Sequence, residues 1–196
     1  MREGRAERCS GYGDSVQDFS LHILDLAENS ITAGATRIEI GIDEDSSRDL
    51  LTIEITDDGT GMSREMAGRV LDPFVTTRTT RKVGLGLPLF AQAARACNGG
   101  VHIESAPGRG TKLTGTFQAS HIDRKPWGSM VETLITLIAG NPGISFYYHH
   151  CKDGRAYSLD TAVIGKELGE VPVSDPRVIG LIRGDLEEGL AQLGLH

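Results

Sequence analysis

Asp25 and Asn29 stand four residues apart in the run SLHILDLAENSIT. On a helix that spacing puts both side chains on one face, with Cβ atoms about 5–6 Å apart. An Asn amide oxygen can ligate Mg²⁺, a hard ion that keeps several waters and any bound phosphates in its shell, so one protein ligand suffices. A carboxylate one turn away can orient or deprotonate a water. Taken alone, the pair reads more simply as a solvated polar face.

Two glycine-bearing stretches follow. Asp57-Asp58-Gly59-Thr60-Gly61 comes directly after an alternating apolar run. In isolation it is an ordinary Asp-Gly turn. Its functional reading makes Asp57 an acceptor for an adenine amino group, with Gly59 and Gly61 letting backbone approach a base without Cβ interference. Gly84-Leu85-Gly86-Leu87 opens a helical pattern, where exposed N–H groups can meet phosphate oxygens. Alone, that motif is weak.

The elements that must position these residues are legible from periodicity. Phe19, Ile23, Leu26, Ala27 and Ile31 recur at helical spacing, and Gly34 is placed to stop the helix. RIEIGID (37–43) and LLTIEIT (50–56) alternate apolar and polar around DEDSSRD and predict a hairpin with one buried face. Ser63 is an N-cap for a short helix over 64–70, and Leu87 to Cys97 resumes helical spacing with Pro88 in its first turn. Residues 101–105 and 112–117 form a second strand pair around APGRGT. The order implies an α+β fold, a mixed sheet covered on one face by helices. From about Ser120 the character changes. A helix starts at a Ser129 cap with Glu132 at the capping-box position. A hairpin of ISFYYHH and RAYSLD around CKDG comes next, then two helical stretches, the second entered through SDP at 174–176.

Composition limits the function classes. The chain has 196 residues, 24% charged and 39% hydrophobic, the balance of a globular protein with room for one medium domain and a small appendage. A net charge of −7 argues against a surface that tracks a nucleic-acid backbone. The longest apolar runs fall short of the roughly 20 residues of a spanning helix, and the N-terminus lacks an apolar signal core, so the expectation is a cytoplasmic protein with no membrane partner. Cys9, Cys97 and Cys151 are far apart and form no CxxC pair, which leaves them as free thiols. His149, His150 and Cys151 are adjacent, but neighbouring strand residues point to opposite faces, which weighs against a metal site.

The order of the motifs carries more than any one of them. An Asn-bearing helix, DDGTGM, LDPF, GLGL and APGRGT, over about residues 17–119, resemble the successive boxes of the GHKL ATPases, the superfamily of histidine kinases, DNA gyrase B and MutL. That resemblance implies a two-layer α/β sandwich with a mixed sheet, binding ATP or ADP with Mg²⁺ under a lid. It implies that Asn29 binds the metal, Asp57 the adenine amino group and Thr111 the region near adenine. Phe74 matches the phenylalanine box before the lid. Gly84 and Gly86 match the second glycine box, with Lys82 where an earlier glycine is usual. The lid over 75–83 is short and offers Arg78, Arg81 and Lys82 to phosphates; each is otherwise a solvated basic loop residue.

The helix motif DLAENSITAGATRIEI is similar to the MutL segment, with one departure. MutL and gyrase carry Glu four residues before the Asn, where this chain has Asp25. The shorter carboxylate implies slow hydrolysis, since misplacing a catalytic group by roughly 1 Å can cost about a hundredfold. SHIDRKP, with His121, is only a faint match to a kinase phosphoacceptor box and reads as a linker. The expected division is a leader over 1–16, an ATP-binding domain over 17–119 and a small C-terminal α+β extension over 120–196. The whole chain also resembles the stand-alone ATP-binding proteins that accompany NAD-linked iron-only hydrogenase subunits, which implies an accessory or regulatory role beside a protein partner. A protein kinase, an ATPase switch and a non-hydrolysing regulatory subunit all remain open on the sequence.

Overall fold

The computed structural model describes residues 18–71 and 86–195. The expected leader (1–16) and lid (75–83) lie outside the described residues, as does Phe74. Helix α1 (Phe19–Thr32) is followed by β1 (Arg37–Asp45), β2 (Leu50–Asp57), α2 (Arg64–Arg69), α3 (Gly86–Ala96), β3 (Gly100–Ser105) and β4 (Thr111–Gln118). Then come α4 (Met130–Gly140), β5 (Ser145–Lys152), β6 (Arg155–Asp160), α5 (Thr161–Leu168) and α6 (Pro176–Gln192). All six strands belong to one mixed sheet in the order β3-β4-β2-β1-β5-β6.

The alternation in the sequence sets which face is buried. Ile38, Ile40 and Ile42 of β1, Leu51, Ile53 and Ile55 of β2, and Leu113 and Phe117 of β4 all turn to one side. There they meet Phe19, Ile23, Leu26 and Ala27 of α1 and Phe90 and Ala94 of α3 in a single core. Burying each large aliphatic or aromatic side chain contributes about 1.5–3 kcal/mol. The opposite face is half-exposed and polar, with Lys112 on Glu54 at 2.9 Å and Arg37 on Glu39 at 2.8 Å.

Helix α1 starts at Asp18, whose carboxylate accepts the Leu21 N–H. It stops at Gly34, which takes φ +76° while the Ala35 N–H reaches the Ser30 carbonyl and the Gly34 N–H the Ile31 carbonyl, a glycine-terminated C-cap. Ser63 caps α2 as expected by accepting the Met66 N–H at 3.2 Å. The predicted capping box at α4 does not form: Ser129 makes no side-chain cap, and Glu132 instead engages Arg183 of α6. A full guanidinium one helix away is a stronger partner for the carboxylate than a backbone N–H.

The C-terminal strands continue the sheet of the first half. Strand β5 pairs in parallel with β1, Ile40 beside Tyr148 and Ile42 beside His150. His150 turns into the core, between the Tyr148 hydroxyl at 2.8 Å and Glu44 at 3.0 Å, and Arg124 lies 3.7 Å from the second oxygen of Glu44. His149 lies on the other face, stacked on Tyr147, so adjacent residues diverge as strand geometry requires. Cys97 is a buried free thiol and Cys151 a half-buried one.

His22 is the unusual member of the core. It is 1% exposed, meets the Phe90 ring at 5.7 Å, and neither ring nitrogen has a hydrogen-bond partner among the described residues. Burial, then the Lys125 charge, hold its pKa below the ordinary 6.5, against an opposing pull from Asp18. As pH falls below that ordinary value the unfolded chain takes up a proton that the folded chain resists. The stability contribution is therefore complete above it and is lost as pH drops toward the folded-state pKa. Urea melts at about pH 7.5 and about pH 5.5 should show a loss on acidification in the wild type. His22→Leu should show a smaller loss, and an equal loss in both would place the sensitivity elsewhere.

Candidate functional site

Strand register builds the floor of a cavity. Asp57 at the end of β2 lies directly opposite Thr111 at the start of β4, and Thr111 lies opposite Ser105 at the end of β3. Two residues inward, Ile55, Leu113 and Ile103 repeat the row with apolar side chains. Above them passes α1, whose Leu26, Asn29 and Ser30, with the C-cap Ala33, follow the i, i+3, i+4, i+7 spacing of one helix face. All of these residues except Ser105, with Gly61, Met62 and Leu87, border a cavity of about 120 Å³.

The two aspartates of DDGTG have different work. Asp57 faces the cavity; its Oδ2 accepts the Ser30 hydroxyl at 2.6 Å and its Oδ1 the Gly59 N–H at 3.0 Å. Asp58 turns away and accepts from the Thr36 hydroxyl and from the Thr36 and Arg37 N–H groups. Those bonds, the Thr36 hydroxyl first, hold its carboxyl below the usual range. Asp58 therefore ties the loop to the start of β1.

Glycines let three backbones interlock behind Asp57. A Cβ on Gly61, at φ +65°, would lie 2.1 Å from the Ala106 carbonyl oxygen, and one on Gly110, at φ +76°, would lie 1.8 Å from that of Asp57. Gly59 packs on the Ala33 carbonyl in the same way, and the Thr60 N–H donates to it at 2.9 Å. Ser105 joins the two loops. Its single proton goes to the Gly110 carbonyl at 2.9 Å, and its oxygen accepts the Met62 N–H at 2.7 Å. The Thr111 hydroxyl, 3.0 Å from Ser105, must then be the donor between them, which leaves its lone pairs as acceptors.

Asp25 is half-buried in the wall beside the cavity, against the first residue of α3: a Cβ on Gly86 would fall 2.7 Å from Asp25 Cβ and 3.0 Å from its Oδ2. Burial, then the charge of Glu28, raise the Asp25 pKa above the usual carboxylate range. The exposed Asn29 side chain makes no hydrogen bond among the described residues.

Of the residues singled out in the sequence, Asn29, Asp57, Gly61, Leu87 and Thr111 border one cavity. Asp25, Gly59 and Gly86 stand in its supporting wall. Arg78, Arg81, Lys82, Gly84, Leu85 and Phe74 lie outside the described residues. Sequence reasoning missed Ser30 and Ser105. Ser30 had a signal, since it sits four residues after Leu26 on the helix face that carries Asn29; Ser105 had none. His121 is remote from this group in the chain, and its Nδ1 accepts the Asp123 N–H at 3.1 Å.

Comparison with known proteins identifies the family of the chain. The family model for histidine kinase-, DNA gyrase B- and HSP90-like ATPases matches residues 16–121. Among curated proteins, the non-motile and phage-resistance protein of Caulobacter vibrioides is 30% identical over 112 residues, 53% of this chain and 13% of that protein. Sporulation kinase D of Bacillus subtilis is 32% identical over 102 residues, 50% of this chain and 19% of the kinase. The nitrogen regulation protein NtrY of Azorhizobium caulinodans is 38% identical over 77 residues, 39% of this chain and 10% of NtrY. The chain thus spans less than a fifth of these relatives. Among solved structures, the N-terminal domain of a DNA repair protein superposes with a TM-score of 0.50 at 14% identity, covering 76% of this chain and 53% of that one. The Aquifex aeolicus MutL ATPase domain gives 0.43 at 19% identity, covering 70% and 60%. With its Asn-bearing helix, its Asp-Gly loop and a family match over more than half its length, the chain belongs to the histidine kinase-, DNA gyrase B- and HSP90-like ATPases.

Proposed function

We propose that the chain is a Mg·ATP-binding nucleotide switch or regulatory subunit with slow intrinsic hydrolysis. One observation carries this reading: Asp57, oriented by Ser30 and Gly59, opens into the same cavity as Thr111 and Asn29. Each carboxylate oxygen of Asp57 has spent one lone pair on the protein, and the remaining ones suit the amino group of adenine. Apolar walls from Ile55, Ile103, Leu113 and Met62 suit the faces of a base.

A Mg²⁺ ion fits the donors present. Asn29 offers an amide oxygen that no described residue occupies, and among the described residues no three His, Cys, Asp or Glu side chains converge as a metal cluster. An ion held mainly by phosphates and water needs no more than Asn29. When bound, the ion neutralises phosphate charge. Asp25, four residues earlier on α1, then holds or accepts the proton of an attacking water, and its raised pKa moves it toward the range where a general base works best. Arg78, Arg81 and Lys82 are proposed to reach the phosphates.

The kinase names among the relatives keep phosphoryl transfer to a partner as a second reading. His121 is a poor acceptor for it, because the Asp123 N–H already occupies its Nδ1 lone pair. The likeness of the whole chain to ATP-binding proteins that accompany iron-only hydrogenases makes redox-enzyme subunits the first partners to test.

Calorimetry should show ATP and ADP binding favoured over GTP by a factor on the order of 10⁴, because guanine presents a carbonyl oxygen to the Asp57 carboxylate. Asp57→Asn should abolish most of that preference; equal ATP and GTP affinity in the wild type would remove the adenine assignment. A second set of variants separates metal from base. Asn29→Ala should weaken Mg·ATP binding itself. Asp25→Asn should leave binding nearly intact while lowering hydrolysis by about 10² or more, and Asp25→Glu, with its longer reach, should raise it. Turnover indifferent to both Asp25 variants would make that residue structural.

A further inference from the structure

The segment that leads into the C-terminal residues also closes the start of α1. The Phe19 N–H donates to the Pro126 carbonyl at 3.0 Å and the Ser20 N–H to that of Trp127 at 2.9 Å. Asp18 accepts from the Leu21 N–H at 2.9 Å and the Ser20 hydroxyl at 2.7 Å. The N–H groups that a helix leaves unsatisfied at its first turn are therefore taken up largely by a strand of chain more than a hundred residues away. Gly128 completes the contact. It has φ +69°, and a Cβ there would lie 2.2 Å from the Asp18 carboxylate.

The same strap is fastened on its far side. The Trp127 ring sits 5.2 Å from the ring of Phe19 and 5.2 Å from that of His150, which β5 holds between Tyr148 and Glu44. Arg124, just upstream, approaches Glu44 at 3.7 Å. From α4, the Thr133 hydroxyl reaches the Ser20 carbonyl at 3.4 Å.

We infer that residues Pro126–Gly128 are a positioning strap for the nucleotide site, fixing the axial position and rotation of the helix that carries Asp25 and Asn29. A hydrogen-bonded helix moves as a rod, and Asn29 lies about 15 Å along it from Phe19. A slip or rotation at the strapped end is carried to Asn29, Ser30 and Asp25 together. By linkage, a ligand that fixes α1 at the cavity also acts on the strap. Pro126, Trp127 and Gly128 thereby become part of the nucleotide site without touching the ligand. This inference rests on the nucleotide reading proposed above.

The 196-residue chain tests it with ADP and Mg²⁺. Gly128→Ala should weaken ADP binding about tenfold, as expected when a ligating helix is displaced by a fraction of an ångström. Leu186→Ala, a buried α6 variant matched for loss of thermal stability, should bind as the wild type does. Wild-type affinity in Gly128→Ala, or equal weakening in both variants, overturns the strap. Should Gly128→Ala not fold, as read by circular dichroism, the wild type decides. Trp127 is the single tryptophan, and its emission should change saturably with a midpoint at the calorimetric Kd. ADP binding with unchanged Trp127 emission overturns the strap alone. A wild type that binds no ADP overturns the nucleotide reading and the strap with it.

Discussion

The placement of α1 on the sheet is the constraint on which the rest depends. Its apolar stripe, Phe19, Ile23, Leu26 and Ala27, is almost wholly buried, which leaves no freedom of rotation about its own axis. Once that stripe is down, Ser30 must point at the end of β2, Asn29 must stand at the cavity mouth, and Asp25 must meet α3. The chemistry of the site follows from hydrophobic burial on one side of a helix whose other side carries the polar groups.

The sheet answers that constraint with register. Asp57, Thr111 and Ser105 occupy one row across three strands; a shift of one residue in the β2–β4 pairing would put Asp57 on the face opposite Thr111, and one in the β3–β4 pairing would do the same to Ser105. Gly61 and Gly110 lock the register by allowing contacts that any side chain would forbid. Hydroxyl groups then set polarity. Ser30 donates to Asp57, and Ser105 is saturated by three partners, so Asp57 and Thr111 present acceptors at the sheet end of the cavity, with hydrocarbon beside them.

Much of this was legible in the sequence because it is local. Alternation marked β1 and β2, helical spacing marked α1 and α3, and the glycine loops fell where the backbone needs positive φ. What escaped depends on partners far along the chain. Glu132 had the spacing of a capping box, yet Arg183, 51 residues later, captures it. Ser30 looked like one more helix serine until Asp57 was folded against it. Ser105 is an inconspicuous strand end until Met62, Gly110 and Thr111 converge on it. The hairpin at ISFYYHH was visible, but its parallel seat beside β1 was not, since periodicity reports which face is buried and is silent about the neighbour.

That parallel seat has a consequence for how the chain comes to be folded. Strand β1 has one neighbour, β2, almost immediately in sequence, whereas its other neighbour begins only at Ser145. Until β5 is synthesised and docked, the β1 side of the sheet is an open edge with unpaired N–H and C=O groups, a template for any extended segment nearby. Closing it requires a contact across about a hundred residues, the kind that forms slowly because chain entropy must be lost before any bond is gained. Truncation before β5 would therefore leave a lasting sticky edge, and the completed chain has a vulnerable interval during its synthesis.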